Sequence, residues 1–193
     1  MTGRTWIPIN GERQVQLYST EDLVLIERRM RDPTELGPSS LVSPVLESES
    51  LVTRVVEDLT TIARDRTSVG NIVKELENCR DGFYEIMRLR ENDGVQQGFD
   101  EQMQGYRICS EFSVASPPVL GKVKCPFTSP TDSSPDTYHG IKFYDVTRVK
   151  DNTTFKFSDF GLHLVKQHHF FGGIGSYVRI DPQEAIDFFG LER

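Results

Sequence analysis

The sequence predicts an α+β protein: an N-terminal β-hairpin and a helical hairpin, then a small antiparallel-sheet unit with two short helices. Three observations carry this expectation. Asn10-Gly11 separates two short segments that suit paired strands. Apolar residues recur at helical spacing between Leu51 and Met87. From Tyr106 the period changes to two, with Tyr106, Ile108, Phe112 and Val114 alternating with Arg107, Cys109, Glu111 and Ser113.

The elements follow in chain order. Residues 5–18 read as a hairpin, because Asn-Gly tolerates the positive φ that tight primed turns require, with Pro8 at an edge position. Ser19 then caps a helix over about 20–31, whose Leu23, Ile26 and Met30 share a face and which Asp32-Pro33 ends. Residues 33–48, rich in serine and proline, have no periodicity and read as a loop. Helices are expected over about 49–65 and 69–91. The first carries the stripe Leu51, Val52, Val55, Val56, Leu59, Ile62, and the second runs from Val69 through Ile72, Val73, Leu76, Cys79 and Phe83 to Met87. The short Arg66-Thr67-Ser68 connection makes them an antiparallel pair.

Residues 93–105, rich in Gly, Gln and acidic side chains, read as a linker between a mainly helical region, 1–92, and an α+β domain, 106–193. In that second region a strand is expected over Tyr106–Val114 and a loop over 124–138. A hairpin should turn at Asp151-Asn152, and Ser158 or Asp159 should cap a helix running to about His169. Gly172 or Gly173 is expected to close that helix, and Tyr177–Ile180 to form a short strand. Asp181-Pro182-Gln183-Glu184 supplies a cap residue, a first-position proline and a first-turn glutamate for a last helix, which Gly190 can end.

Composition narrows the function. With 37% hydrophobic and 26% charged residues the chain is expected to fold, and most of its twelve phenylalanines fall from Phe143 onward. A formal charge of −7 argues against nucleic acid, whose binding draws on Lys and Arg. The basic run Arg28-Arg29-Met30-Arg31 is flanked by Glu27 and Asp32 and reads as a solvated helix face. No segment has the apolar length to cross a bilayer. Three widely spaced cysteines, Cys79, Cys109 and Cys125, point to reduced thiols and an intracellular, cytoplasmic setting.

Among chemical motifs, the four histidines cluster in sequence. Cys125, His139, His163 and His168 offer a thiolate and three imidazoles, a donor set that suits tetrahedral zinc. Against it stand the missing Cys-x2-Cys pair and the placement of residues 163 and 168 about 140° apart on an ideal helix. A helix C-terminus would also favour charge on His168 and His169. The turn Gly172-Gly173-Ile174-Gly175-Ser176 is expected to run from a helix into a strand, whereas phosphate loops run from a strand into a helix, so it reads as a return turn. Asp159-Phe160-Gly161 matches the metal-binding triplet of protein kinases by letter, but no glycine-rich lid or His-Arg-Asp loop accompanies it. Ser-Pro pairs at Ser43, Ser116, Ser129 and Ser134 suit ordinary turns, or phosphorylation by proline-directed kinases. No Gly-x-Ser-x-Gly is present and Cys125 has no adjacent base in sequence, so a nucleophilic triad would need the fold to bring Cys125 or Ser176 to a histidine.

The expectation is therefore a non-catalytic interaction or assembly protein that uses helices 51–63 and 69–89 for a partner or for self-association. The alternative is a zinc-binding module or small metal-dependent enzyme built on Cys125, His139, His163 and His168.

Overall fold

A computed structural model describes residues 6–9, 12–15, 20–31, 50–93, 105–117, 121–127, 138–176 and 178–191. Strands β1 (Trp6–Ile9) and β2 (Glu12–Val15) pair antiparallel, with Trp6 opposite Val15 and Pro8 opposite Arg13. Helix α1 (Thr20–Arg31) buries Ile26 and Met30. Its Glu27 carboxylate accepts the Leu51 amide at 2.8 Å, which satisfies an orphan donor at the start of α2 (Leu51–Arg64). The expected caps at 19 and 32–33 and the loop at 33–48 lie outside the described residues.

Helix α2 and helix α3 (Val69–Asn92) start at Ser50 and Ser68, each of which accepts an amide hydrogen bond from the third residue onward. Their apolar stripes turn inward: Leu51, Val55, Leu59, Ile62, Ile72, Leu76, Cys79 and Phe83 are all buried. Cys79 belongs to this core, and burial pushes its thiol up to about 12.

The main sheet has four antiparallel strands in the order β3 (Tyr106–Arg107), β4 (Phe112–Ala115), β7 (Phe143–Arg148), β8 (Thr154–Ser158). Tyr144 opposite Phe157 and Val146 opposite Phe155 are buried cross-strand pairs on one face. Between these strands in sequence, β5 (Lys122–Lys124) and β6 (Tyr138–Gly140) form a second, two-stranded ladder. Helix α4 (Asp159–His168) follows β8 directly, and α5 (Pro182–Phe189) sets Phe188 and Phe189 against Phe112 and Phe155.

Contacts span the segment expected to be a linker. Phe83 of α3 meets the rings of Tyr106 and Tyr144, Glu77 pairs with Lys166 of α4, and Asp58 of α2 pairs with Arg179. Residues 94–104 themselves lie outside the described set.

Several local expectations need correction. The strand expected over Tyr106–Val114 is two strands, because residues 108–111 turn. The amides of Ile108 and Cys109 both point to the Phe112 carbonyl, and Arg107 donates to the carbonyls of Cys109 and Ser110. The segment read as a loop over 124–138 is flanked by the paired strands β5 and β6, too short to register as a period. Helix α4 ends at His169, in the left-handed region at φ 53°, and not at a glycine. Its amide reaches back to Leu164 and Val165. Residues 178–180 are not a strand. Ile180 donates one amide bond to Phe171, and the segment is organised by the Arg179 side chain. The Asp181 cap and the Gly190 stop of α5 are as read.

Two predictions arise from these turns. Gly172 has φ +90°, and a Cβ there would lie 2.8 Å from the Arg179 Cα. Gly172→Ala is therefore expected to cost about 1–3 kcal/mol in a denaturant melt, from strain in the left-handed region plus the steric shift. In the β7–β8 turn, where Asn152 has φ 63°, the Asp151 carboxylate accepts from the Arg148 guanidinium and the Thr153 amide. These bonds hold its carboxyl at about 2, below the ordinary aspartate value. Because the folded value is the lower one, the stabilisation is complete above about pH 4 and fades as pH falls toward 2. An NMR titration should place the Asp151 midpoint near 2 in the wild type, and substitution of Arg148→Gln should move it up toward the ordinary value.

Candidate metal centre

Cys125 follows β5 immediately, and Pro126 starts the turn that leads to Phe127. His163 lies in the middle of α4 and His168 is its last residue. The fold brings β5 against α4 so that the Cys125 Sγ is 3.3 Å from the His163 Nε2 and 3.3 Å from the His168 Nε2. The three donor atoms lie within 4.8 Å of one another. Cys125 is fully buried and both histidines are half-buried.

The rings are held by aromatic packing. Phe127 stacks on His168 at 4.3 Å and 7°, Phe160 stacks on His163 at 6.2 Å and 14°, and Phe170 closes against Phe127. The two imidazoles meet edge to face at 5.1 Å and 74°. The separation of 140° along the helix counts against a site only if both ligands must rise from one helix face. Here the third donor, the Cys125 sulfur, contacts both rings, so His163 and His168 converge on it.

The arrangement fits a metal ion. Zn–S and Zn–N bonds of about 2.3 and 2.0–2.1 Å at tetrahedral angles require S···N separations of roughly 3.5 Å. Both observed S···N separations, 3.3 Å, are within a few tenths of this. This Cys125/His163/His168 group could hold a metal ion. The fourth residue expected from the sequence, His139, has its backbone on β6 opposite Val123, two positions before Cys125; its side chain lies outside the described residues.

Neighbouring groups bear on the other sequence readings. His169 is half-buried, and burial pushes its imidazole down from the ordinary range, which opposes the charge a helix C-terminus would favour. The glycine turn is engaged by its own neighbours. Gly172 presents its carbonyl to the Arg179 guanidinium at 2.6 Å, and the Ser176 amide is used by Gly173. Asp159 of the kinase-like triplet accepts a hydrogen bond from Tyr144, while Ser158 caps α4 through the Gly161 amide. Ser116 is buried and donates to the Phe143 carbonyl, which withholds it from a kinase; Ser43, Ser129 and Ser134 lie outside the described residues. Among the described residues, no helix is long and apolar enough to cross a membrane.

Sequence reasoning missed an ion network between α2 and the segment before α5. Arg179 grips Asp58 with two hydrogen bonds, 2.9 and 3.1 Å, and also reaches Asp181 at 3.0 Å; Arg54 adds a second cation to Asp58 at 3.1 Å. The Asp58 side chain is 2% exposed. No sequence signal links residues 121 positions apart, since the pairing exists only in the folded chain.

No protein-family model, no curated protein and no solved structure matches this chain.

Proposed function

We propose that this chain is a zinc-stabilised, non-catalytic α+β module in which Cys125, His163 and His168 hold one zinc ion. The observation that supports it is the approach of two imidazole nitrogens, each 3.3 Å from the Cys125 thiol, with all three donor atoms within 4.8 Å of one another. A mixed thiolate–imidazole set suits zinc better than magnesium or calcium, which take oxygen donors. Water or His139 supplies a fourth donor. The ion would tie the β5–β6 ladder to α4, joining elements whose ligands stand 38 and 43 residues apart. Full burial of the thiol and the phenylalanine wall around the rings favour a structural role over turnover.

Cobalt(II) titrated into chelator-stripped protein tests this reading. The expected result is a thiolate-to-cobalt charge-transfer band that saturates at about one equivalent and disappears when zinc is added. Cobalt d–d absorption without a thiolate band would remove Cys125 from the site. An unchanged spectrum would remove the site altogether.

A further inference from the structure

The structure contains a second constellation, remote in chemistry from the metal ligands. The rings of Phe83 and Tyr84 on α3 and Tyr144 on β7 stand nearly perpendicular to one another. Phe83–Tyr84 make 73° at 6.0 Å, Phe83–Tyr144 78° at 6.0 Å, and Tyr84–Tyr144 73° at 6.4 Å. They are three walls of a box. Inside it sits an ammonium: the Lys142 Nζ is 4.6 Å from the Tyr84 centroid, 4.8 Å from Phe83 and 5.9 Å from Tyr144. Each distance is within the range at which a ring face attracts a cation.

The walls are braced. The Tyr84 and Tyr144 hydroxyls are 3.1 Å apart, and the Tyr144 hydroxyl donates to the Asp159 carboxylate at 3.1 Å. Asp159 adds a negative charge that acts on Lys142. Phe83 and Tyr144 are fully buried, while Tyr84 is 44% exposed and Lys142 half-buried, so solvent meets this constellation at Tyr84 and Lys142.

We propose that this box is a receptor for a quaternary ammonium group and that Lys142 is its resident plug. A primary ammonium is strongly hydrated and gives up much water to enter an aromatic box. A quaternary ammonium is poorly hydrated and presents methyl groups to ring faces, the use for which such cages are best suited. Burial pushes the Lys142 ammonium down from the ordinary lysine range, with Asp159 acting against that shift. A competing trimethylammonium group therefore has a wall set and a neighbouring carboxylate, with one lysine side chain to displace.

The test uses the full chain and tetramethylammonium chloride, read by NMR or calorimetry against sodium chloride at equal ionic strength. Saturable binding to the wild type is expected, tightened about tenfold in Lys142→Ala, where no occupant competes. Tyr84→Phe, which keeps the ring, should retain binding, and Tyr84→Ala, which removes an exposed wall, should lose it. A trimethyllysine peptide that binds more tightly than choline would identify a protein tail as the source, and the reverse preference a free metabolite. No saturable binding to the wild type, or equal binding by Tyr84→Ala, overturns the proposal.

Discussion

Replacing Cys125 by serine is expected to abolish zinc binding and to lower the melting temperature of the zinc-loaded protein to that of the stripped protein. Serine keeps a hydroxyl at the same place, so a cluster held only by hydrogen bonds between Cys125 and the two histidines would be largely preserved. A metal centre would not survive, because the thiolate supplies its strongest donor. When free zinc is about 1,000 times its Kd, binding adds roughly 4 kcal/mol to the folded state. For a chain of this size that corresponds to a shift of about 8–16 °C. His163→Ala and His168→Ala should behave alike, and all three variants should coincide with the wild type in excess chelator once their small packing losses are allowed for. Protons compete with the metal for each donor, so the zinc-dependent part of the stability should fall as pH is lowered.

The second large effect lies in the ion network between α2 and the segment before α5. Asp58→Ala is expected to destabilise the chain by about 3–5 kcal/mol, because it leaves the guanidinium groups of Arg54 and Arg179 facing each other without their shared carboxylate. The magnitude comes from the buried position: the side chains of Asp58, Arg54 and Arg179 are 2%, 9% and 12% exposed, so water cannot replace the lost partner. Arg179→Met should cost less than Asp58→Ala, since Arg54 still balances the carboxylate. In a double-mutant cycle the two substitutions should be strongly non-additive. Urea melts of the four proteins measure this, and additive losses would show that the pair is not coupled.

Which parts of this structure were readable in advance follows from the range of the forces involved. The stripes Leu51–Ile62 and Val69–Met87 gave their helices because helical spacing is a local property. The Asp181 cap, the first-turn Pro182 and the Asp151-Asn152 turn were equally local, each written into adjacent residues. What failed was also local in form but decided elsewhere. The alternation from Tyr106 to Val114 is real, yet Arg107 folds back on the carbonyls at 109 and 110 and breaks the strand. Glycines at 172 and 173 looked like a helix stop, but His169 takes the left-handed position, and Gly172 instead allows Arg179 to approach.

The site divides the same way. Donor chemistry named Cys125, His139, His163 and His168, because thiol and imidazole are what zinc prefers, and the structure gathers Cys125, His163 and His168. Their convergence depends on β5 meeting α4, which no spacing rule reports. The apolar stripes of α2 and α3, read as surface for a partner, face the chain's own core, leaving Tyr84 and Leu89 as the exposed large apolar residues of that pair. Phe83 and Tyr84 are neighbours in sequence, but the third wall of their box and the lysine inside it come from a region about sixty residues later.

The central claim is that Cys125, His163 and His168 hold a metal, and elemental analysis of the untagged chain purified without chelator tests it most directly. About one zinc per chain is predicted for the wild type, and none for Cys125→Ser, His163→Ala or His168→Ala. Wild-type protein that carries no zinc, and takes up none when dialysed against it, would contradict the account.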